Sequence, residues 1–416
     1  MSNRKRMASA VAAALLAACG VVRAESSSSL SLSPQMMDDA PAKRPLGQLM
    51  DRIGAGKMMD DAGITIGGHV EASWTIADNN PAGNVIGGRV FDFENQDLTL
   101  NQIDLYLERL VDPSKGKFDV GGRIEAIYGG DSRLIHSRNI TNEHGLYYVR
   151  PGENVGPDEQ IDLNQFYVDV AVPVGNGLLI RAGKFNTLLG YETINPTTNA
   201  LYSHSFMFGF AIPFTNSGVL AKYVINPEWT VTAGLTRGWD VTDTDDNDTI
   251  DATGQVVWNI NDKSGLTVNF IVGPDAPNDN SNWRTVIDVI YTQKLADQLS
   301  VAINADYGYQ AKGAANGDDG AQWYGVAGYG TYVFSSMISG TARAEIFNDT
   351  DGYRGFDTNV YEVTLGVTIT PMPNDSIGSN LKIRPEVRYD YAGERTFDAG
   401  SDYGQATFGI DAYFTY

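Results

Sequence analysis

The stretch QATFGIDAYFTY, residues 405–416, decides how this sequence is read. Ala406, Phe408, Ile410, Ala412, Phe414 and Tyr416 fall at every second position, and Gln405, Thr407, Gly409, Asp411, Tyr413 and Thr415 take the other face. A period of two is that of a strand with one apolar and one wet side. Chain ends fray unless something pins them, so a well-patterned strand that runs to the last residue requires a partner elsewhere in the chain.

The same alternation returns along most of the sequence. IDLYLERL (103–110), FDVGGRIEAIYG (118–129), LNQFYVDVAV (163–172), WTVTAGLTRGW (229–239), LSVAINADYGY (299–309), YEVTLGVTIT (361–370) and LKIRPEVRYDY (381–391) each alternate over about one membrane thickness of strand. Between them, short connections (112–117, 173–176, 226–228, 261–264, 296–298, 335–336, 371–379) take turns with long polar ones (78–96, 129–160, 186–214, 240–248, 274–282, 312–322, 349–359, 393–402). Short periplasmic turns and long external loops mark an outer-membrane barrel. The expected fold is all-β: a transmembrane antiparallel up-and-down β-barrel of about 16 strands, spanning 63–416. Its last strand closes on the first, because an open edge in lipid leaves backbone groups unpaired. Phe408, Ile410, Phe414 and Tyr416 are the candidate closure and assembly residues, with Tyr416 at the interfacial aromatic girdle. A soluble sandwich or propeller fits less well, since neither a blade-length repeat nor another reason for alternating loop lengths is present.

The N-terminus carries an export signal. MSNRKRM is a basic start, ASAVAAALLAACGVV an apolar core, and Val22-Arg23-Ala24 a cleavage site, so residues 1–24 read as a secretory signal peptide. A competing reading takes LAAC (16–19) as a lipobox with lipidated Cys19. Cys19 is the only cysteine, which excludes an intrachain disulfide and a Cys-based metal site. Residues 25–62 read as a periplasmic linker, with Leu46, Leu49, Met50 and Ile53 at the spacing of a short amphipathic helix that Gly54 and Gly56 weaken. Signal removal takes away four basic residues and no acid, moving the formal charge from −21 to about −25. A polyanionic nucleic acid is thereby excluded as partner.

GKFNTLLGYETINPTTNALYSHSFMFGFAIPFTNSGVL (183–220), RGWD (237–240), IRPEVRYDYA (383–392) and FGIDAYFTY (408–416) resemble the β-barrel porin-2 family of exported bacterial proteins. The resemblance spans roughly 63–416 and implies a barrel acting as a porin in the bacterial outer membrane. It carries no solute assignment. The opening of the first block also resembles, more loosely, phosphate- and polyphosphate-selective porins.

Strand alternation assigns the faces. Ile383, Val387, Tyr389 and Tyr391 meet lipid, which turns Lys382, Arg384, Glu386, Arg388 and Asp390 into the lumen, since a lipid-facing Arg or Lys near the midplane costs about 2–4 kcal/mol. By the same rule Asp104, Glu108, Arg123, Glu125, Arg181, Arg343, Glu345 and Glu362 point inwards. All are candidate pore-lining residues. The alternative is that these charges pair in a closed network that blocks the lumen. The third long loop, Asn186 to Phe214, carries Leu188, Leu189, Leu201, Phe206, Phe208, Phe210, Ile212 and Phe214, poor company for water, and is the expected constriction by analogy with barrels of this size. Part of FMFGFAIPF (206–214) reads equally well as strand. If the loop folds inwards, Glu192 and His204 face Arg181, Arg384 and Arg388 and set up a transverse field across the eyelet.

No cofactor is called for. DVTDTDDNDTID (240–251) superficially matches a Ca²⁺ loop, but the required Gly and closing Glu are missing at the expected offsets. It reads as a solvated acidic loop, loosely bridged by divalent ions to lipopolysaccharide. Ser203 and Ser205 flank His204, yet neighbours on an extended chain point to opposite sides, so adjacency builds no catalytic dyad. The expected function is passive diffusion of ions or small hydrophilic solutes. The alternative is a plugged structural, adhesive or partner-holding barrel. The expected partners are outer-membrane lipid and lipopolysaccharide, and a homotrimer is compatible with the fold size.

Overall fold

A computed structural model describes residues 43–79, 84–137, 159–242, 247–276 and 279–416. The signal segment 1–24 with Cys19, residues 25–42 of the linker, and Asp243, Asp245 and Asp246 of the acidic loop lie outside the described residues.

Sixteen strands follow in chain order: β1 (Ile64–Ala77), β2 (Leu98–Arg109), β3 (Asp119–Gly129), β4 (Gln160–Val172), β5 (Leu178–Asn186), β6 (Thr215–Val224), β7 (Trp229–Thr236) and β8 (Asp251–Asn261). The second half comprises β9 (Ser264–Ala276), β10 (Asp279–Ala296), β11 (Leu299–Gln310), β12 (Ala321–Val333), β13 (Ile338–Asn348), β14 (Asn359–Ile369), β15 (Leu381–Ala392) and β16 (Gly404–Thr415). Each pairs with its sequence neighbours, and β1 pairs with β16, so the sheet is a closed barrel. Every pairing is antiparallel; the closing seam runs from His69↔Thr415 to Ala77↔Thr407. Beyond it the Tyr416 N–H donates to the Gly68 carbonyl at 2.9 Å and the Gly68 N–H to the Tyr416 carbonyl at 3.0 Å. The Tyr416 hydroxyl donates to the Asp104 carbonyl at 2.7 Å, tying the chain end across β1 to β2. The seam leaves no strand edge to lipid.

Period-two alternation holds on the wall. Along β15, Val387 and Tyr389 are each 51% exposed, whereas Arg384, Glu386, Arg388 and Asp390 are buried on the opposite face. Two expectations change. Residues 274–282 do not form a long loop: β9 runs to Ala276 and β10 starts at Asp279, pairing Asp279↔Ala276 and Trp283↔Pro274 with a bulge between. Asp279, Asn280, Ser281 and Asn282, read as loop residues, form that bulge, with the Asp279 carboxylate accepting the Ser281 N–H at 2.7 Å. In the third loop, 207–211 is a single π-helical turn and not strand, and β6 begins only at Thr215.

The helical spacing near the N-terminus gives two short helices, α1 (Pro45–Arg52) and α2 (Gly56–Ala62), not one. Gly54, at φ +83°, breaks the run, and Gly63, at φ +67°, ends α2 directly before β1. Lys43 bridges Asp51 and Asp60 at 2.7 and 2.6 Å, and Arg109 Nε donates to the Ala62 carbonyl at 3.0 Å.

Candidate functional site

The third loop folds into the barrel because the wall there offers an apolar seat. Ala302 of β11, Trp323, Ala327 and Tyr329 of β12, Phe347 of β13 and Val360 of β14 are buried on the inner face, and Leu189, Ile194, Phe206, Met207, Phe208, Ala211 and Ile212 of the loop pack with them in one cluster. Each large side chain so buried contributes about 1.5–3 kcal/mol. The approach is close. A Cβ at Gly325 on β12 would lie 2.6 Å from Met207 Cγ, and one at Gly366 on β14 would lie 2.4 Å from Leu201 Cδ2. Trp323 Nε1 donates to the Ala211 carbonyl at 3.1 Å.

A segment inside a barrel has no strand to pair with, so its backbone groups need other partners. Charged wall side chains supply them. Arg384 NH1 donates to the carbonyls of Pro196, Asn199 and Leu201 at 2.9, 2.7 and 3.0 Å. Glu386 accepts the N–H groups of Tyr202 and Ser203 at 2.9 and 3.2 Å. Arg343 donates to the Ser203 carbonyl at 2.6 Å, and Glu345 accepts the Phe206 and Met207 N–H groups, both at 2.7 Å. Arg388 donates to the His204 carbonyl at 2.5 Å. Charge-assisted bonds of this kind are about twice as strong as neutral ones.

Each arginine is also ion-paired, which keeps the buried charges from going uncompensated. Arg384 meets Asp411 at 2.6 Å and Glu71 at 3.3 Å, Arg388 meets Asp390 at 2.6 Å, and Arg343 meets Glu362 and the loop's own Glu192, both at 2.7 Å. Glu192 also accepts the Ser205 N–H at 2.7 Å. Its carboxyl is held below the usual range: burial raises it, but the Arg343 charge and the Ser205 bond outweigh that. Burial holds the His204 imidazole below its ordinary value against the pull of Glu192.

The first loop folds inwards too, which the sequence reading missed. Arg89 donates to Asp92 at 2.7 Å, to Asp390 at 2.8 Å and to Thr407 Oγ1 at 2.7 Å. Phe91, buried at φ +77°, sits 5.0 Å from the His204 ring and 5.7 Å from that of Phe208. The signal available in the sequence was the pair of aromatics Phe91 and Phe93 in an otherwise polar loop.

The other inward candidates, apart from Lys382, form a separate sector on β1–β5. Asp104 is buried 3.6 Å from His69 Nδ1. Glu125 pairs with Arg123 and accepts from Asn164 at 2.7 Å and Gln165 at 3.0 Å. Arg123 lies 3.4 Å from Glu108 and stacks over Tyr106, 4.0 Å from the ring centre. Arg181 makes a two-pronged contact with Asp169 at 2.8 and 2.9 Å and stacks 3.7 Å over Tyr167. The side chains of Arg123, Glu108 and Arg181 keep 17%, 15% and 15% of their surface in contact with water, unlike the clamp arginines. Lys382, half-buried on β15, donates to Thr370 Oγ1 at 2.6 Å.

The expected transverse field does not form as drawn. Glu192 neutralises Arg343 directly, Arg384 and Arg388 are occupied by loop carbonyls and wall acids, and Arg181 belongs to the other sector with Asp169. His204 Nε2 lies 2.9 Å from Asn199 Nδ2 and 3.2 Å from the Thr193 carbonyl, and the Ser203 hydroxyl accepts from Arg343. These partners take up Nε2 and the Ser203 hydroxyl in positioning the loop, while Nδ1 is buried without a hydrogen-bond partner among the described residues.

A closed 16-strand antiparallel barrel with an infolded third loop is the architecture of a bacterial outer-membrane porin. The chain belongs to the family described as "Putative beta-barrel porin-2, OmpL-like", whose model matches residues 63–416. No curated protein matches the sequence. Among solved structures, the chain is similar to the outer membrane channel DcaP of Acinetobacter baumannii (13% identity, 85% of this chain and 97% of that one, TM-score 0.54). It is also similar to an anion-selective porin from Comamonas acidovorans (10%, 85% and 99%, TM-score 0.58) and to OprB of Pseudomonas putida (11%, 88% and 97%, TM-score 0.57). The protein is a porin of the bacterial outer membrane, allowing passive diffusion.

Proposed function

We propose that this porin is a narrow, non-catalytic passage for small ions and hydrophilic solutes, with the loop from Asn186 to Phe214 as its constriction. The observation that carries this is the clamp: Arg343, Glu345, Arg384, Glu386 and Arg388 bond the loop backbone from the wall of β13 and β15. A loop held at so many points narrows the lumen permanently, leaving passage on the side of β1–β5. There Arg123, Glu108 and Arg181 retain access to water as paired charges, Arg181 held by the buried Asp169, so a solute meets alternating signs, not one ring of charge. Asp104 and Glu125 belong to the same inner surface, and Lys382 to that of β15.

Assembly as a homotrimer is part of the proposal. Gly328, Gly330, Ala342 and Ala344 make the outward face of β12 and β13 flat, and the OmpT of Vibrio cholerae, similar in fold (12% identity, 85% of this chain and 99% of that one, TM-score 0.51), was solved in a trimer form. Light scattering of the detergent-solubilised protein measures the state directly.

The deciding experiment is single-channel current in a planar bilayer under a KCl gradient. Small, stepwise openings with a defined reversal potential are expected. Silence from a folded, heat-modifiable barrel would sink the open passage.

A further inference from the structure

Arg354 stands in the long connection between β13 and β14, on the external side of the third loop. Its Nε donates to the Phe210 carbonyl of that loop. The guanidinium carbon lies 5.1, 5.4 and 5.9 Å from the ring centres of Trp239, Trp323 and Tyr353. Trp323 stacks on Tyr353 with ring centres 5.6 Å apart, and its own Nε1 is fixed to the Ala211 carbonyl, so these rings form a rigid platform. A guanidinium held against aromatic faces presents its donors at its edge.

The acids nearby are turned to other donors. Asp349 accepts the backbone N–H of Arg354 at 3.0 Å and that of Phe356 at 2.9 Å, and Asp240 accepts those of Phe214 and Thr215 at 2.8 and 2.9 Å. Arg284, the neighbouring cation, is paired with Asp275 and donates to Gln310 Oε1 at 2.8 Å and to the Tyr353 hydroxyl at 2.7 Å. Burial and the Arg284 charge push the Arg354 guanidinium down to about 10, so it is charged at neutral pH but poorly compensated. Arg343, Arg384 and Arg388 each have an acid. Arg354 has none in ion-pairing reach among the described residues, and its NH1 and NH2 make no hydrogen bond there. Neither nitrogen is sealed from water, since the side chain is only partly buried.

We propose that the Arg354 edge is a binding subsite for the carboxylate of a small organic solute arriving from outside, NH1 and NH2 donating to its two oxygens. The subsite deepens the passage proposed above and rests on that reading for the solute's onward route. Two donors on a fixed plane match the two oxygens of a carboxylate. The half-buried rings of Phe210 and Tyr353 give the site an apolar rim, which favours a carboxylate carrying an organic body over bare phosphate. Because Arg354 also holds the Phe210 carbonyl, the subsite is joined directly to the constriction loop.

The test is calorimetric titration of the full-length refolded barrel, in low salt and against a micelle blank, with sodium benzoate and separately with inorganic phosphate. The wild type is expected to bind one benzoate per chain, and phosphate about tenfold more weakly. Arg354→Gln, which removes the charge, and Arg354→Lys, which keeps it but loses the fork, should each weaken benzoate about tenfold. No benzoate on the wild type, benzoate binding unchanged in the two variants, or phosphate bound as well as benzoate would overturn the subsite. Altered conductance in Arg354→Gln without benzoate binding by the wild type would leave Arg354 as a positioning residue for the third loop alone. Heat-modifiability checks that each variant is folded, and Arg354→Lys keeps the test decisive if the glutamine variant does not assemble. Calorimetry needs no open channel, so benzoate binding by a silent barrel would uphold the subsite while sinking the passage, and conduction without binding would do the reverse.

Discussion

Arg384 on β15 donates to the carbonyl of Leu201, 183 residues earlier in the chain, at 3.0 Å. Wall and loop are thereby joined by a bond that neither a sheet nor a helix would make. The loop keeps an irregular backbone inside the barrel because polar and charged wall side chains replace the missing strand partner, and the buried guanidinium charges among them are compensated because each arginine has its own acid nearby. Constriction and wall are therefore one unit, and loosening it should change conduction before it changes the barrel.

Glu386→Ala tests this most cleanly. The substitution strands the Tyr202 and Ser203 N–H groups, at about 1–3 kcal/mol for each buried group left unpaired, while the β14–β15 and β15–β16 ladders remain. Single-channel conductance should rise and the loop should become cleavable by protease, with heat-modifiability intact. Unchanged conductance would mean that the loop does not set the constriction.

Acid should loosen the same clamp. The Glu192 carboxyl lies below its ordinary value in the folded protein, so its contribution is present at neutral pH and is lost as pH falls through the folded value. His204 is likewise held below its ordinary value by burial, so the unfolded loop takes up a proton first and docking weakens as pH drops below about 6.5. The groups facing the pair, Arg343, Asp92 and the Phe91 and Phe208 rings, leave both shifts in the same direction. Conductance recorded from pH 7 down to 4 should show growing loop fluctuations, and His204→Gln should remove the part that begins nearest neutrality. A flat profile in the wild type argues against a titrating clamp.

The barrel was legible in the sequence because period-two patterning is local: Val387 and Tyr389 outward, Arg388 and Asp390 inward, needs only one strand to be seen. The inward fold of the third loop was legible from its leucines and phenylalanines, which had to leave water. Partner choice was not. Whether Glu192 meets Arg343 or Arg384 depends on the height at which the loop crosses a wall 151 residues later in the chain, and no spacing encodes that. Arg89 was missed for a related reason: it looks like a solvated loop charge until Asp390 and Thr407 are brought beside it.

Removal of Tyr416 should impair closure. It eliminates both hydrogen bonds with Gly68 and the hydroxyl bond to the Asp104 carbonyl, leaving backbone groups of β1 unpaired at the seam. The folded, heat-modifiable fraction after refolding into detergent or isolated outer membranes should fall, and those barrels that do form should conduct normally. Full assembly with altered conductance would point to a pore role for this residue instead.

Arg181 and Asp169 offer the sharpest test of where ions pass. The two neutralise each other through a two-pronged contact, and both sit on the inner face of β5 and β4 away from the clamp. Arg181→Gln leaves the Asp169 carboxylate without its cation and should move the reversal potential in a KCl gradient towards cations. Asp169→Asn leaves the guanidinium over Tyr167 and should move it towards anions. The double variant removes both charges and should return close to the wild type, since neighbouring charges couple and the two single effects cancel. Because neither residue touches the third loop's clamp, conductance should change little in any of the three. If all reversal potentials coincide, ions do not pass this sector, and the passage must run along a different part of the wall.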